Sequence, residues 1–236
     1  THDANGFDMI AGGQQVETFT IGSGTYAIVT SSSHDGVQMI DISDPADIVA
    51  VDSATNGENG FTTLEDARGV ATFTIGSSTY AIVTSDPGLS GGGVQMIDIS
   101  DPTNIVATDA ENDGENGFTE LGGAEGVDTF TIGSSTYAIV TSSTDDGIQM
   151  IDISDPEDIV ATDAETDGEN GFHLLDGTQG VTTFTIDSRT YAIVTSFDDD
   201  AVMIIGLGTT TSGVGLSTCT TLVILGNCGT ITINND

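Results

Sequence analysis

The chain has 236 residues, of which 37 are Asp or Glu and only two, Arg68 and Arg189, carry a permanent positive charge, giving a formal net charge of −35 at pH 7. Two arginines cannot build the basic stripe that nucleic acid requires, and an anionic membrane repels such a surface, so neither is a partner. No apolar run approaches the roughly 18 residues of a membrane-spanning helix, and the length suits one large β domain or two small ones with a real core.

The acids fall in short clusters between β-branched runs such as TYAIVT and VQMIDI, the pattern of a folded β protein with charged loops rather than of a disordered chain. Taken in chain order, NGFDMI at 5–10 matches NGFTTL at 59–64, so the chain opens in the middle of a repeating unit. A longer stretch then recurs four times: VETFTIGSGTYAIVTS from Val16, VATFTIGSSTYAIVTS from Val70, VDTFTIGSSTYAIVTS from Val127 and VTTFTIDSRTYAIVTS from Val181. The spacings are 54, 57 and 54 residues, the three additional residues belonging to DPGLSGGG at 86–93. Periods of this size signal a solenoid, a propeller or a stacked array.

Within one unit four strands are legible: VATFTI at 70–75, TYAIVT at 79–84, VQMIDI at 94–99 and NIVATDA at 104–110. A Gly-Ser-Ser turn joins the first two, and Ser-Asp-Pro at 100–102 ends the third because proline donates nothing to a ladder. Tyr80 and Ile82 point to one side of the second strand, Ala81 and Val83 to the other. In the third strand Val94 and Met96 oppose Ile97 and Ile99 in part, Gln95 sharing the second face. Both sides of the sheet are thus partly apolar, which predicts sheets stacked on one another. The expectation is an all-β β-propeller of about four four-stranded antiparallel repeats, occupying 1–207.

The MID of 39–41, 96–98 and 150–152, each followed by ISDP, resembles the LVIVD repeat of microbial secreted and surface proteins, over roughly 16–207. The resemblance implies a propeller fold and an extracellular interaction role, and it carries no catalytic residue to transfer.

The fourth copy departs from the others. AVMIIGL at 201–207 has Gly206 in place of the aspartate, and no Ser-Asp-Pro follows. GTTTSGVG reads as the start of a Ser/Thr/Gly linker, 208–218, ahead of a C-terminal hairpin tail, 219–236, with Gly226-Asn227 as its turn. Either the tail folds back to complete the fourth blade or it pairs with an open edge on a neighbouring copy. Cys219 and Cys228, alone in the chain, suit one exported disulfide. A two-residue turn sets Leu225 opposite Cys228, so the bridge requires a wider turn, another geometry or another chain.

The acidic loops between units look like calcium loops. Counting Asp109 as position 1 places Glu111, Asp113, Glu115 and Glu120 at calcium-loop positions, with Gly114 at the turn. The copy from Asp163 keeps Glu165, Asp167 and Glu169 but has Leu174 at position 12, and the copy from Asp52 has Ala54 and Asn56. Calcium is therefore the one cofactor expected, against the alternative of tight turns in which Asp-Gly or Asn-Gly supplies positive φ. Asp41, Asp98 and Asp152 read as caps of the turns that follow them, and Phe61, Phe118 and Phe172 as packed plugs.

For catalysis, His2, His34 and His173 sit at non-equivalent repeat positions without a nucleophile motif, and no carboxylate announces itself as buried. The expectation is a non-enzymatic extracellular or cell-surface structural protein, self-assembling into a filament or surface layer through strand pairing of its tail. The alternative is a calcium-dependent binding module or adhesin directed at carbohydrate.

Overall fold

The computed structural model describes residues 6–88, 91–210 and 213–223. Among these there is no helix; all regular structure is strand, in four separate four-stranded antiparallel sheets. The first sheet comprises β1 (Gly13–Ile21), β2 (Gly24–Ser31), β3 (Gly36–Asp41) and β4 (Val49–Thr55). The second comprises β5 (Ala67–Ile75), β6 (Ser78–Ser85), β7 (Gly93–Asp98) and β8 (Val106–Asn112). The third holds β9 (Ala124–Ile132), β10 (Ser135–Ser142), β11 (Gly147–Asp152) and β12 (Val160–Thr166). The fourth holds β13 (Thr178–Ile186), β14 (Arg189–Ser196), β15 (Ala201–Thr210) and β16 (Gly213–Val223). In each, spatial order follows chain order. This is the propeller-like all-β architecture that the repeat predicts, each repeat forming one blade.

Local sequence explains the hairpins. The first two strands of the second blade pair Phe73 with Tyr80, whose rings stack at 5.8 Å. The same Phe–Tyr stack recurs in all four blades. The tight turn between them takes Gly76 at φ 62°, whereas the fourth blade uses Asp187 and Ser188 at φ 49° and 66°, a conformation that costs a non-glycine residue free energy.

The core lies between blades. Ile28, Val37 and Met39 of the first blade pack on Val70, Ala81, Val83, Ile97 and Ile99 of the second. Phe73, Ile82, Val94 and Met96 of the second pack on Val127, Ala138, Val140, Ile151 and Ile153 of the third. Phe130, Ile139, Ile148 and Met150 of the third pack on Ala192, Val194, Met203, Ile205 and Leu207 of the fourth. The two faces read from the alternation in TYAIVT are therefore the two sides of successive junctions. Each buried Ile, Val or Met contributes roughly 1.5–3 kcal/mol relative to exposure. Phe61, Phe118 and Phe172 plug these junctions at 3%, 1% and 2% exposure.

The first strands pack on one another in the order β1–β5–β9–β13 and so surround the axis. The fourth blade does not close on the first. Its edge strand is β16, antiparallel to β15 from Gly213 to Val223, so the chain completes this blade itself. Of the residues expected as a linker, 208–210 and 213–218 lie instead in the paired strands β15 and β16, because VMIIGLG and VGLSTCT alternate well enough to pair. Cys219 lies on β16, and Cys228, with the Gly226-Asn227 turn, lies outside the described residues. No helix of the described residues is long and apolar enough to cross a membrane.

Candidate functional site at the propeller axis

Four equivalent positions open the first strands: Gln15, Gly69, Gly126 and Gly180. With their neighbours Gln14, Arg68, Glu125 and Gln179 they line an axial cavity of about 390 Å³. The glycines are required by close approach. A Cβ on Gly69 would meet the Glu125 carbonyl oxygen at 2.3 Å, and one on Gly126 the Gln179 carbonyl at 2.5 Å. Threonines from the second strands fasten these carbonyls. The Thr30 hydroxyl donates to the Arg68 carbonyl (2.5 Å), Thr84 to that of Glu125 (2.6 Å) and Thr141 to that of Gln179 (2.6 Å).

Arg68 supplies the cavity's positive charge. Its Nη2 donates to Asp66 at 2.8 Å and Asp86 at 3.3 Å, and its Nη1 lies 3.7 Å from Glu125. Burial works against the guanidinium charge, but Glu125, Asp66 and Asp86 outweigh it and hold the pKa above its ordinary value. The Arg68 Nε is buried with no partner. Burial likewise raises the Glu125 pKa, and Arg68 only partly restrains it.

Two residues further along the same strands stand two more carboxylates, Glu17 on β1 and Asp128 on β9, from opposite blades. The Glu17 pKa is raised by burial and then by the Asp128 charge, so the two sense each other across the axis. Asp128 Oδ2 accepts from the Thr183 amide (2.6 Å), the Thr183 hydroxyl (3.0 Å) and the Thr182 hydroxyl (3.3 Å). Burial beside a like charge favours the neutral form of a carboxyl group such as Glu17. Glu17 and Asp128 are thus two carboxyl groups in contrasting surroundings, Glu17 facing a like charge and Asp128 held by donors from Thr182 and Thr183. Reading the sequence missed them because the repeat places Ala71 and Thr182 at the same position, and only the radial arrangement brings blades one and three together.

The residues proposed for calcium make these contacts within the protein. Asp109 lies on β8 and turns to the next blade: its Oδ1 accepts from the Ala110 amide (2.9 Å) and its Oδ2 from the Ile159 amide (2.8 Å). Asp163 does the same toward Leu216 (2.8 Å) and Asp52 toward Ile105 (2.7 Å). Glu111 and Glu165 accept from the Asn116 and Asn170 side chains, both at 2.9 Å. Asp113 and Asp167 accept from the amides of Leu121 (3.2 Å) and Leu175 (3.0 Å). Glu115 and Glu169 are exposed. Asn59, Asn116 and Asn170 take φ of 50°, 48° and 46°, as tight turns require. Among the described residues no three His, Cys, Asp or Glu side chains form a group that could hold a metal ion.

Glu120 is the exception in this set. It is 7% exposed, its Oε1 accepts from the Thr166 hydroxyl at 2.6 Å, and its Oε2 is buried without a partner. Burial pushes its pKa up to about 7, the Thr166 bond opposing and Asp145, Asp113 and Glu169 adding to the rise. The turn caps are where the sequence placed them: Asp41, Asp98 and Asp152 accept from the amides of Ser43, Ser100 and Ser154 at 2.8, 2.8 and 2.9 Å. A larger cavity of about 590 Å³ lies between the outer turns of blades three and four, with Arg189 and Tyr191 but no carboxylate in its lining.

No protein-family model matches the chain, and no curated protein does. Solved structures do share its fold. A family 117 glycoside hydrolase of the marine bacterium Zobellia galactanivorans superposes with a TM-score of 0.56 at 10% identity, over 95% of this chain and 73% of that one. An exo-β-1,3-galactanase of Phanerochaete chrysosporium gives 0.54 at 13% identity, over 88% and 49%. A GH43_1 enzyme of Xanthomonas citri gives 0.52 at 10% identity, over 91% and 75%. The chain spans about half the length of the galactanase. At such identities the likeness is one of fold. It corrects the expectation of a non-enzymatic filament or surface-layer subunit, and the calcium-dependent adhesin weighed beside it: the propeller is shared with sugar-cleaving enzymes. Of the tail expected at 219–236, residues 219–223 pair within their own blade, and the rest lies outside the described residues.

Proposed function

We propose that the chain is a sugar-active enzyme that hydrolyses glycosidic bonds at the propeller axis. The observation that carries this reading is the pair Glu17 and Asp128, on first strands of opposite blades two residues beyond the axial cavity and in electrostatic contact with each other. Glycoside hydrolysis needs two carboxyl groups, one protonated and one ionised, whose surroundings push them apart. Glu17, its pKa raised by burial and by the facing charge, gives a proton to the glycosidic oxygen as its bond to the anomeric carbon breaks. Asp128, oriented by Thr182 and Thr183, assists water in attacking the same carbon; the water's proton leaves through this carboxylate. The polar lining of the axial cavity, Arg68, Glu125 and Gln179 among it, suits sugar hydroxyls at the mouth. An acidic, Ser/Thr-rich surface fits an extracellular location, and the MID repeats support kinship with the LVIVD repeat.

The test is release of new reducing ends from β-1,3-galactotriose, xylo-oligosaccharides and sucrose, the sugar types associated with fold-sharing enzymes. The expected result is turnover of at least one sugar, reduced by about 10²-fold or more in both Glu17→Gln and Asp128→Asn, the loss typical of a missing acid or base. Turnover unchanged in either variant contradicts the assignment.

A further inference from the structure

Beside its β13–β14 turn the fourth blade breaks the repeat in three ways at one place. In the first three blades a tyrosine of the second strand lies opposite an aspartate of the third: Tyr26 with Asp41, Tyr80 with Asp98 and Tyr137 with Asp152. The fourth blade sets Tyr191 opposite Gly206, so that carboxylate is gone. Where the other blades have Gly24, Ser78 and Ser135 opposite an isoleucine, it sets Arg189 opposite Ile186. The Ser-Asp-Pro turn is absent as well. Elsewhere its serine folds over this end of the second strand and accepts from the amides of Thr25, Thr79 and Thr136, each at 3.0 Å. In the fourth blade Gly208 stands at the serine's place, and β15 continues as strand to Thr210.

The cavity of about 590 Å³ between blades three and four opens beside Gly206 and Gly208, where that turn is missing. Its polar lining is Arg189, Tyr191, Ser188, Thr190, Thr131 and Ser217, with no Asp or Glu. Tyr191 is half-buried and steadied by stacking on Phe184 at 5.5 Å. Arg189 is exposed, and among the described residues every ion pair belongs to Arg68 instead. In a chain of net charge −35, a cavity with a cation and without a carboxylate reverses the local charge. The turn that delivers Arg189 is strained, Asp187 and Ser188 holding φ of 49° and 66°, and such strain gathers at positions that clamp ligands.

We propose that this cavity binds a sugar bearing a carboxylate, a uronic acid unit. The planar guanidinium of Arg189 matches a carboxylate through two parallel hydrogen bonds. The four hydroxyls and the Tyr191 phenol match the hydroxyls of a sugar ring, which a bare carboxylate would leave without use. The volume falls within the range of small-molecule sites. The site lies at the opposite end of β13 from the axial cavity, which reaches Gln179 and Gly180. The inference therefore stands apart from the axial carboxylates.

The test is a titration of the full chain with glucuronate, glucose and acetate, followed by calorimetry at low salt. Glucuronate should saturate at millimolar concentration, with glucose and acetate each weaker by about tenfold or more. Arg189→Gln removes the charge at an exposed position and should weaken glucuronate by about tenfold or more. Gly208→Phe fills the cavity without changing any charge, since a Cβ there meets no atom within 4 Å, and should abolish binding. A wild type that gives no saturable binding overturns the inference. So does glucose or acetate bound as tightly as glucuronate, or an affinity that survives either substitution.

Discussion

At the residue scale, Glu120 and Glu17 illustrate how the same side chain acquires different behaviour from its surroundings. Glu120 sits at a position that is Thr63 in the preceding unit and Leu174 in the following one. Neither neighbour titrates, so the buried carboxyl is an addition to the repeat and not part of its architecture. The folded chain holds the Glu120 proton up to about pH 7, whereas an unfolded glutamate releases it near 4.5. The folded state therefore binds more protons across that window. Its stability is full below the unfolded value, falls as pH rises through 7 and stays lower above. Glu120→Gln keeps an acceptor for Thr166 and removes the charge. Thermal melts should show the variant more stable than wild type at pH 8, by on the order of 1–2 kcal/mol, with the difference gone at pH 4. Equal stability of the two proteins at pH 8 contradicts a buried, proton-holding Glu120.

Glu120 was visible in the sequence only as position 12 of a loop, which says nothing of its burial. The turn caps were better readable. An aspartate two residues ahead of a serine, before proline, leaves little choice of partner, and the Ser43 hydroxyl and amide hold the Asp41 pKa below its usual value.

At the scale of elements, the propeller relies on polar ties that repeat with the blades. Gln95, buried in the middle of β7, accepts from the Thr62 and Thr63 amides at 3.0 and 3.2 Å and donates to the Asp109 carbonyl at 2.8 Å. Gln149 does the same for the Thr119 amide (3.0 Å) and the Asp163 carbonyl (2.8 Å). Gln95→Leu preserves volume but strands two amides and a carbonyl in the core, which should cost about 2–4 kcal/mol. Denaturant unfolding measures it; a loss under 1 kcal/mol would show that the loop finds other partners. Asp109→Ala, which frees only the Ile159 and Ala110 amides near the surface, should cost about 1–2 kcal/mol.

These two elements show why part of the site escaped the sequence. The strands were legible because TYAIVT and VQMID alternate in two apolar registers. The acidic loops were legible as turns, since Asn-Gly demands positive φ. The direction of Asp109 was not, because alternate acids on a strand and alternate acids in a calcium loop share one spacing. Only the neighbouring blade, bringing the Ile159 amide within reach, distinguishes them.

At the scale of the molecule, the repeat specified blades and their stacking, but not which residues meet at the axis. Positions 17 and 128 are unlike in sequence and far apart along the chain, and the same holds for Arg68 and Glu125. Convergence of the first strands is what turns scattered acids into a channel. The fourth-blade completion was left open by sequence for a related reason, since β16 lacks the Asp-Pro punctuation of the other repeats. The net charge of −35 repels itself most strongly in the compact state. Screening at about 1 M salt, where the Debye length is roughly 3 Å, should raise the melting temperature by several degrees over low salt. A melting temperature that falls with added sodium chloride would contradict a fold limited by self-repulsion.

The central claim, that opposed carboxylates at the axis split a glycosidic bond, is tested most directly by isotope transfer. The chain is incubated with a substrate oligosaccharide in ¹⁸O-water, and the products are read by mass spectrometry. The account predicts one ¹⁸O at the anomeric carbon of the sugar released by the wild type, and no labelled sugar above background with Glu17→Gln. Unlabelled wild-type products, or equal labelling by the variant, would contradict it.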